Sequence, residues 1–75
     1  GNAAMSPEKL ARMANQIATF FKAQPKADRA ALVAKHLEDF WEPRMRRQLL
    51  KLVQDGGENL DPLVIEAAGR MRAPA

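Results

Sequence analysis

Residues able to do chemistry gather between His36 and Lys51, in the run HLEDFWEPRMRRQLLK. Its first half carries the carboxylates Glu38, Asp39 and Glu42, and its second half the cations Arg44, Arg46, Arg47 and Lys51. Arginine forks bind carboxylate and phosphate groups through paired N–H bonds, so one reading is a docking face for an acidic partner. The plainer reading is a solvated helix exterior, which every small helical domain needs. Glu38 and Glu42 lie one helical turn apart, but no nucleophile accompanies them. His36, the only histidine, has neither a nucleophile nor a paired acid at hand and reads as structural rather than as a general base. Trp41 falls on an apolar arc beside Phe40, where a core position is the default. An aromatic just before a proline break is also a suitable partner anchor.

The chain has no cysteine, which excludes disulfides, a thiol nucleophile, iron–sulfur ligation and zinc sites with sulfur ligands. Gly56-Gly57 has the spacing of a helix stop, not of a phosphate loop, and the acidic residues lack calcium-loop spacing. These parts do not make an enzyme; they suit a binding or subunit module. A basic helix after a turn can enter a DNA major groove. Here, though, 12 basic residues face 9 acidic ones for a net charge of +3, and no exposed aromatic platform is legible. Gln48 is the one amide on that helix's outer arc able to read a base. Nucleic acid is therefore not the expected partner. No apolar run approaches the roughly 20 residues that cross a bilayer, and no secretory leader pattern is legible. The expectation is a protein that does not engage a membrane, and the absence of cysteine is compatible with the cytoplasm.

Holding these residues in place falls to four helices within one domain, since 75 residues leave no room for two. Gly1-Asn2-Ala3-Ala4 (1–4) precede a methionine and read as a tag remnant, with residues 5–75 forming the domain. Ser6-Pro7 opens the first helix, serine as cap and proline at the first helical position, and Met5 and Leu10 are spaced as a hydrophobic staple. At 100° per residue, Leu10, Met13, Ala14, Ile17, Phe20 and Phe21 share an arc of about 120°. Asp28 caps a second helix whose stripe is Ala30, Val33, Ala34, Leu37, Phe40 and Trp41. Pro43 would clash with the carbonyl of Asp39 in a continuous helix, so the chain breaks at Trp41-Glu42 and a third helix runs to about Gln54. Met45, Leu49, Leu52 and Val53 form its inner face, with Arg44, Arg47 and Lys51 opposite. Leu60-Asp61-Pro62 repeats the opening logic for a fourth helix that turns Val64, Ile65, Ala68 and Met71 inward. The predicted fold is all-α, a compact bundle of four short helices with short connections. Leu32, Leu50 and Leu63 miss the inward stripes and would mark an association surface, for a homodimer or a larger partner, if they cluster.

Three segments, SPEKLARMANQIATFFKAQP, HLEDFWEPRMRRQLLKLV and GGENLDPLVIEAAGRMR, resemble the delta subunit of NAD-dependent formate dehydrogenases, from Met5 to about Arg72. The most specific stretches are Lys9 to Phe21, Phe40 to Arg46, and Leu60 to Val64. The resemblance implies a small, non-catalytic accessory subunit of a cytoplasmic complex that oxidises formate to carbon dioxide. The molybdenum or tungsten pterin, iron–sulfur clusters, flavin and NAD would all lie in partner subunits, and none in this chain. Its own role would be to dock on the large molybdenum-containing subunit and support assembly or stability.

Resemblance and residue chemistry together nominate Trp41, Glu42, Pro43, Arg44, Arg46 and Arg47 for docking. Pro43 fixes the bend. Arg46 borders the apolar stripe, where the alternative is an internal pair with Glu42. Asn15 and Gln16 are expected to be solvated. Two other functions remain open from sequence: a transient chaperone for cofactor insertion, and a small homodimeric DNA-binding regulator.

Overall fold

Local chemistry sets the helix ends. The computed structural model describes residues 5–24 and 28–72; residues 1–4, read above as a tag remnant, lie outside the described residues. Ser6 is extended and its hydroxyl accepts the Lys9 N–H at 3.1 Å. It opens α1 (Pro7–Lys22) with a proline where the missing N–H would have no helical partner anyway. Asp28 caps α2 (Arg29–Phe40) through the Ala31 N–H. At Trp41 the backbone swings to ψ 138°, although its N–H still donates to the Leu37 carbonyl. Glu42 is extended and α3 (Pro43–Gln54) follows, without a side-chain cap. Asp61 caps α4 (Pro62–Ala68) by accepting the Leu63 N–H at 2.8 Å. The described residues thus form the expected all-α bundle of four short helices, with no strand among them.

The turn from α3 to α4 reverses the chain through three left-handed residues, Gly56 (φ 120°), Gly57 (φ 66°) and Asn59 (φ 68°). Asparagine is among the few non-glycine residues that occupy this region readily. Gly57 is required for a second reason: a Cβ there would stand 2.8 Å from Cδ1 of Ile65. The turn is therefore folded under α4.

α1 touches all three other helices and α2 packs most heavily on α4, whereas α2 and α3 barely meet although they are consecutive. Leu10, Val33, Leu37, Leu49 and Val64 are fully enclosed, each such side chain stabilising the fold by roughly 1.5–3 kcal/mol. Around them the helices meet on alanines: Ala11, Ala14 and Ala18 of α1, Ala30 and Ala34 of α2, Ala67 and Ala68 of α4. Small side chains let helix backbones approach closely, and this rotates α1 relative to the expected stripe. Its inner face is centred on the alanines, not on Phe20, which is 62% exposed. α2 keeps its expected stripe, with Ala30, Val33, Ala34, Leu37 and Trp41 buried, and only Phe40, its last residue, departs at 73% exposed. Ile65, expected inside, lies over Gly57 and stays partly exposed. Of α3's expected inner face only Leu49 is fully covered, with Met45, Leu52 and Val53 packed at the margin. Leu63, set outside from sequence, also packs against the core, and Leu32 and Leu50 are half-buried.

Candidate docking surfaces

At the corner between α2 and α3 stand all six residues nominated for docking, and the fold divides them. The Trp41 side chain belongs to the core with Leu37 and Leu49, so its indole is not available as an exposed anchor. Arg46 is half-buried and its Nε–H donates to the Trp41 carbonyl at 3.2 Å. It braces the corner instead of pairing with Glu42. Glu42, Pro43, Arg44 and Arg47 are exposed, and among the described residues Glu42, Arg44 and Arg47 have no ion-pair partner. Lys51, on the same outer arc, meets Asp55 at 3.5 Å in an exposed pair of the kind that contributes little. Gln48 does not face outward as expected. Its Nε2–H donates to the Met5 carbonyl at 2.6 Å, and its Oε1 is enclosed without a partner.

A second surface lies between α1 and α2. Met13, Gln16, Ile17, Phe20 and Phe21 from α1, with His36 from α2, line a groove of about 410 Å³. Its rings are stacked edge to face along the rim. Phe20 and Phe21 centroids are 5.1 Å apart at 86°, and Phe21 and His36 are 5.8 Å apart at 66°. His36 then meets Phe40 at 4.8 Å and 40°. Such pairs favour these ring arrangements. The expectation of a structural His36 fits its place between two phenylalanines. From sequence, Phe20, Phe21 and Phe40 read as core stripe, and the groove was not foreseen.

The helices flanking both surfaces are tied by polar contacts, one of them from a residue expected in solvent. The Asn15 amide spans α1 and the α3–α4 turn: Nδ2–H donates to the Asn59 carbonyl and Oδ1 accepts the Asp61 N–H, both at 2.8 Å. Lys22 donates to Asp61 at 2.5 Å. That bond, with the Leu63 N–H, holds the Asp61 carboxyl below its usual range against the opposing effect of burial. Arg70, at the end of α4, donates to Asp28 and Glu66. The hydrogen bond from Arg70 lowers the Asp28 pKa, with help from the Ala31 N–H, and the Arg70 guanidinium is correspondingly held more firmly charged. Arg29 donates twice to the Gln24 carbonyl, closing the end of α1. No group of three or more His, Asp or Glu side chains able to hold a metal occurs among the described residues. No described helix is long and apolar enough to cross a membrane.

The profile of the family described as NADH-dependant formate dehydrogenase delta subunit FdsD matches residues 9–68. The chain belongs to that family. The FdsD match runs from the first turn of α1 to the last residue of α4, so it takes in every helix, the α2–α3 corner and the α1–α2 groove. No curated protein matches the chain. The FdsD family is defined as a subunit of a formate dehydrogenase complex, and both surfaces are thereby parts of a chain that works among other subunits.

Proposed function

We propose that this chain is a non-catalytic accessory subunit that docks on the large molybdenum-containing subunit of a cytoplasmic, NAD-dependent formate dehydrogenase and supports its assembly or stability. Membership of the FdsD family over residues 9–68 carries the reading. Two features support it. Without cysteine and without a glycine-rich phosphate loop, the residues of this chain do not fit an iron–sulfur cluster or a dinucleotide, and the redox groups belong to partner subunits. Exposed aromatic and arginine side chains on a small domain are the residue types that dominate protein interfaces. Arg44 and Arg47, with Glu42 and Pro43, form the basic face offered at the corner. Trp41 and Arg46 hold that face in shape from behind.

The test is a tagged pull-down from formate-grown cells, with subunits identified by mass spectrometry and the eluate assayed for formate-dependent NAD reduction. An active large subunit at constant stoichiometry is the expected result. An inactive large subunit lacking its pterin would mark the chain as a transient chaperone of cofactor insertion. Absence of the large subunit would overturn the docking role. In the same assay, Arg44→Ala with Arg47→Ala should weaken retention if the basic corner docks, and unchanged retention would remove the corner from the interface.

A further inference from the structure

We propose that the groove between α1 and α2 is the docking site for an amphipathic helix of a partner protein, one that seats apolar anchors between Phe20 and His36 and places carboxylates against Lys9 and Arg12. The proposal rests on the docking role given above and names the surface and the chemistry of what it receives.

The groove's apolar lining is the first observation. Phe20 at 62% and Phe40 at 73% exposed flank walls made by Met13, Ile17, Phe21 and His36, and the four rings contact one another in sequence along one side. Its dimensions suit a helix. From Met13 to Phe20 is seven residues, about 10 Å or two turns of α1, which matches anchors at i, i+3 or i+4, and i+7. An extended segment fits worse. Both walls are helices whose backbone groups are already bonded, so a strand laid between them would find no partners for its own N–H and C=O groups, whereas a helix brings its own.

Charge selects among the possible occupants. Lys9 precedes Met13 by four residues and Arg12 precedes Gln16 by four, so both cations stand on or beside the groove's edge. Among the described residues neither has an ion-pair partner, and both are exposed. Glu8, the one acid of α1, stands one turn before Arg12 but forms no ion pair with it, and lies about 140° from Met13 at 100° per residue. On α2, Asp39 is already paired with Lys35 at 3.0 Å, and Glu38 accepts the Arg72 N–H. The groove's edge therefore carries two cations without an ion-pair partner among the described residues. A second copy of this chain would bring the same two cations to the same edge. A helix with acidic flanks supplies what is missing.

Site-specific photo-crosslinking in formate-grown cells tests this, with p-benzoylphenylalanine replacing Phe20 and, as a second site, replacing Glu42. Phe20 should crosslink to a helical segment carrying carboxylates beside apolar residues spaced three to four apart. Lys9→Glu with Arg12→Glu should cut that crosslink at least fivefold while leaving the circular dichroism spectrum unchanged. A Phe20 crosslink to a second copy, to this chain's own ends, or to a segment without carboxylates overturns the proposal. So does the absence of any Phe20 crosslink, or a yield indifferent to charge reversal. The two readings fail separately. A crosslink to an acidic amphipathic helix in a protein other than the large subunit keeps the groove and overturns the docking target. Large-subunit crosslinks from position 42 alone keep the target and overturn the groove.

Discussion

The corner at Trp41–Arg47 and the groove between α1 and α2 exchange the roles that residue chemistry assigns them. The corner has the chemically richer sequence, with tryptophan, proline and three arginines within seven residues. Yet its tryptophan is inside and one arginine is spent on the tryptophan's carbonyl. The groove is built from phenylalanines that read as ordinary core, and two of them stand in the open. Adjacent residues show the exchange most sharply: Phe40 and Trp41 share an apolar arc in sequence, but the chain leaves the helix at Trp41, which is buried while Phe40 is exposed. Where a helix ends decides here which aromatic residue joins the core.

The largest test of this contrast is Trp41→Ala against Phe40→Ala. Removing an enclosed tryptophan should cost about 3–5 kcal/mol, a large part of the roughly 4–11 kcal/mol that holds a domain of 75 residues. Removing the exposed Phe40 loses its tilted ring contact with His36 and should cost about 1 kcal/mol or less. Urea unfolding followed by circular dichroism measures both, and equal losses would break the inside-outside assignment. Next comes Asn15→Ala, which abandons the Asp61 N–H and the Asn59 carbonyl and should cost about 1–3 kcal/mol. A loss near zero would return Asn15 to the solvent, as the sequence suggested.

Within the corner, Arg46→Ala should destabilise by about 1 kcal/mol through its lost bond to the Trp41 carbonyl. Arg44→Ala should stay within about 0.5 kcal/mol of the parent. Identical stabilities would mean that Arg46 is no brace and belongs with the docking arginines.

The smallest effect is on pH dependence. Asp61 has a folded pKa below its ordinary 3.8, so the stability it supplies is present above that ordinary value. It fades as pH falls through the lower folded value, because the unfolded chain takes up the proton first. Lys22→Met removes the largest cause of the shift and should flatten the unfolding free energy against pH on the acid side. The Lys22 side chain is 49% exposed, so the change is small and weakens with salt.

The helix boundaries were legible because each depends on neighbours in the chain. Ser6, Asp28 and Asp61 cap through N–H groups two or three residues on, Pro43 forbids continuity by its own ring, and Gly57 supplies a φ that other residues resist. The corner's exposed members, Glu42, Arg44 and Arg47, could be named from the same local pattern. Asn15 could not, because its partners are 44 and 46 residues away. Nor could Gln48, whose bond to Met5 spans 43 residues.

The sequence by itself therefore determined four helices, their ends, the break at Pro43 and the family resemblance, whose most specific stretches are each short and contiguous in the chain. Only the tertiary structure decided which apolar residues are covered. Alanines at helix crossings carry no strong hydrophobic signal of their own, yet they set how closely α1, α2 and α4 approach. That approach turns α1 about its axis. With 100° between successive residues, a modest rotation is enough to enclose Ala18 and open Phe20, while at the end of α2 it is the extended backbone of Trp41 that takes its indole inside and leaves Phe40 outside.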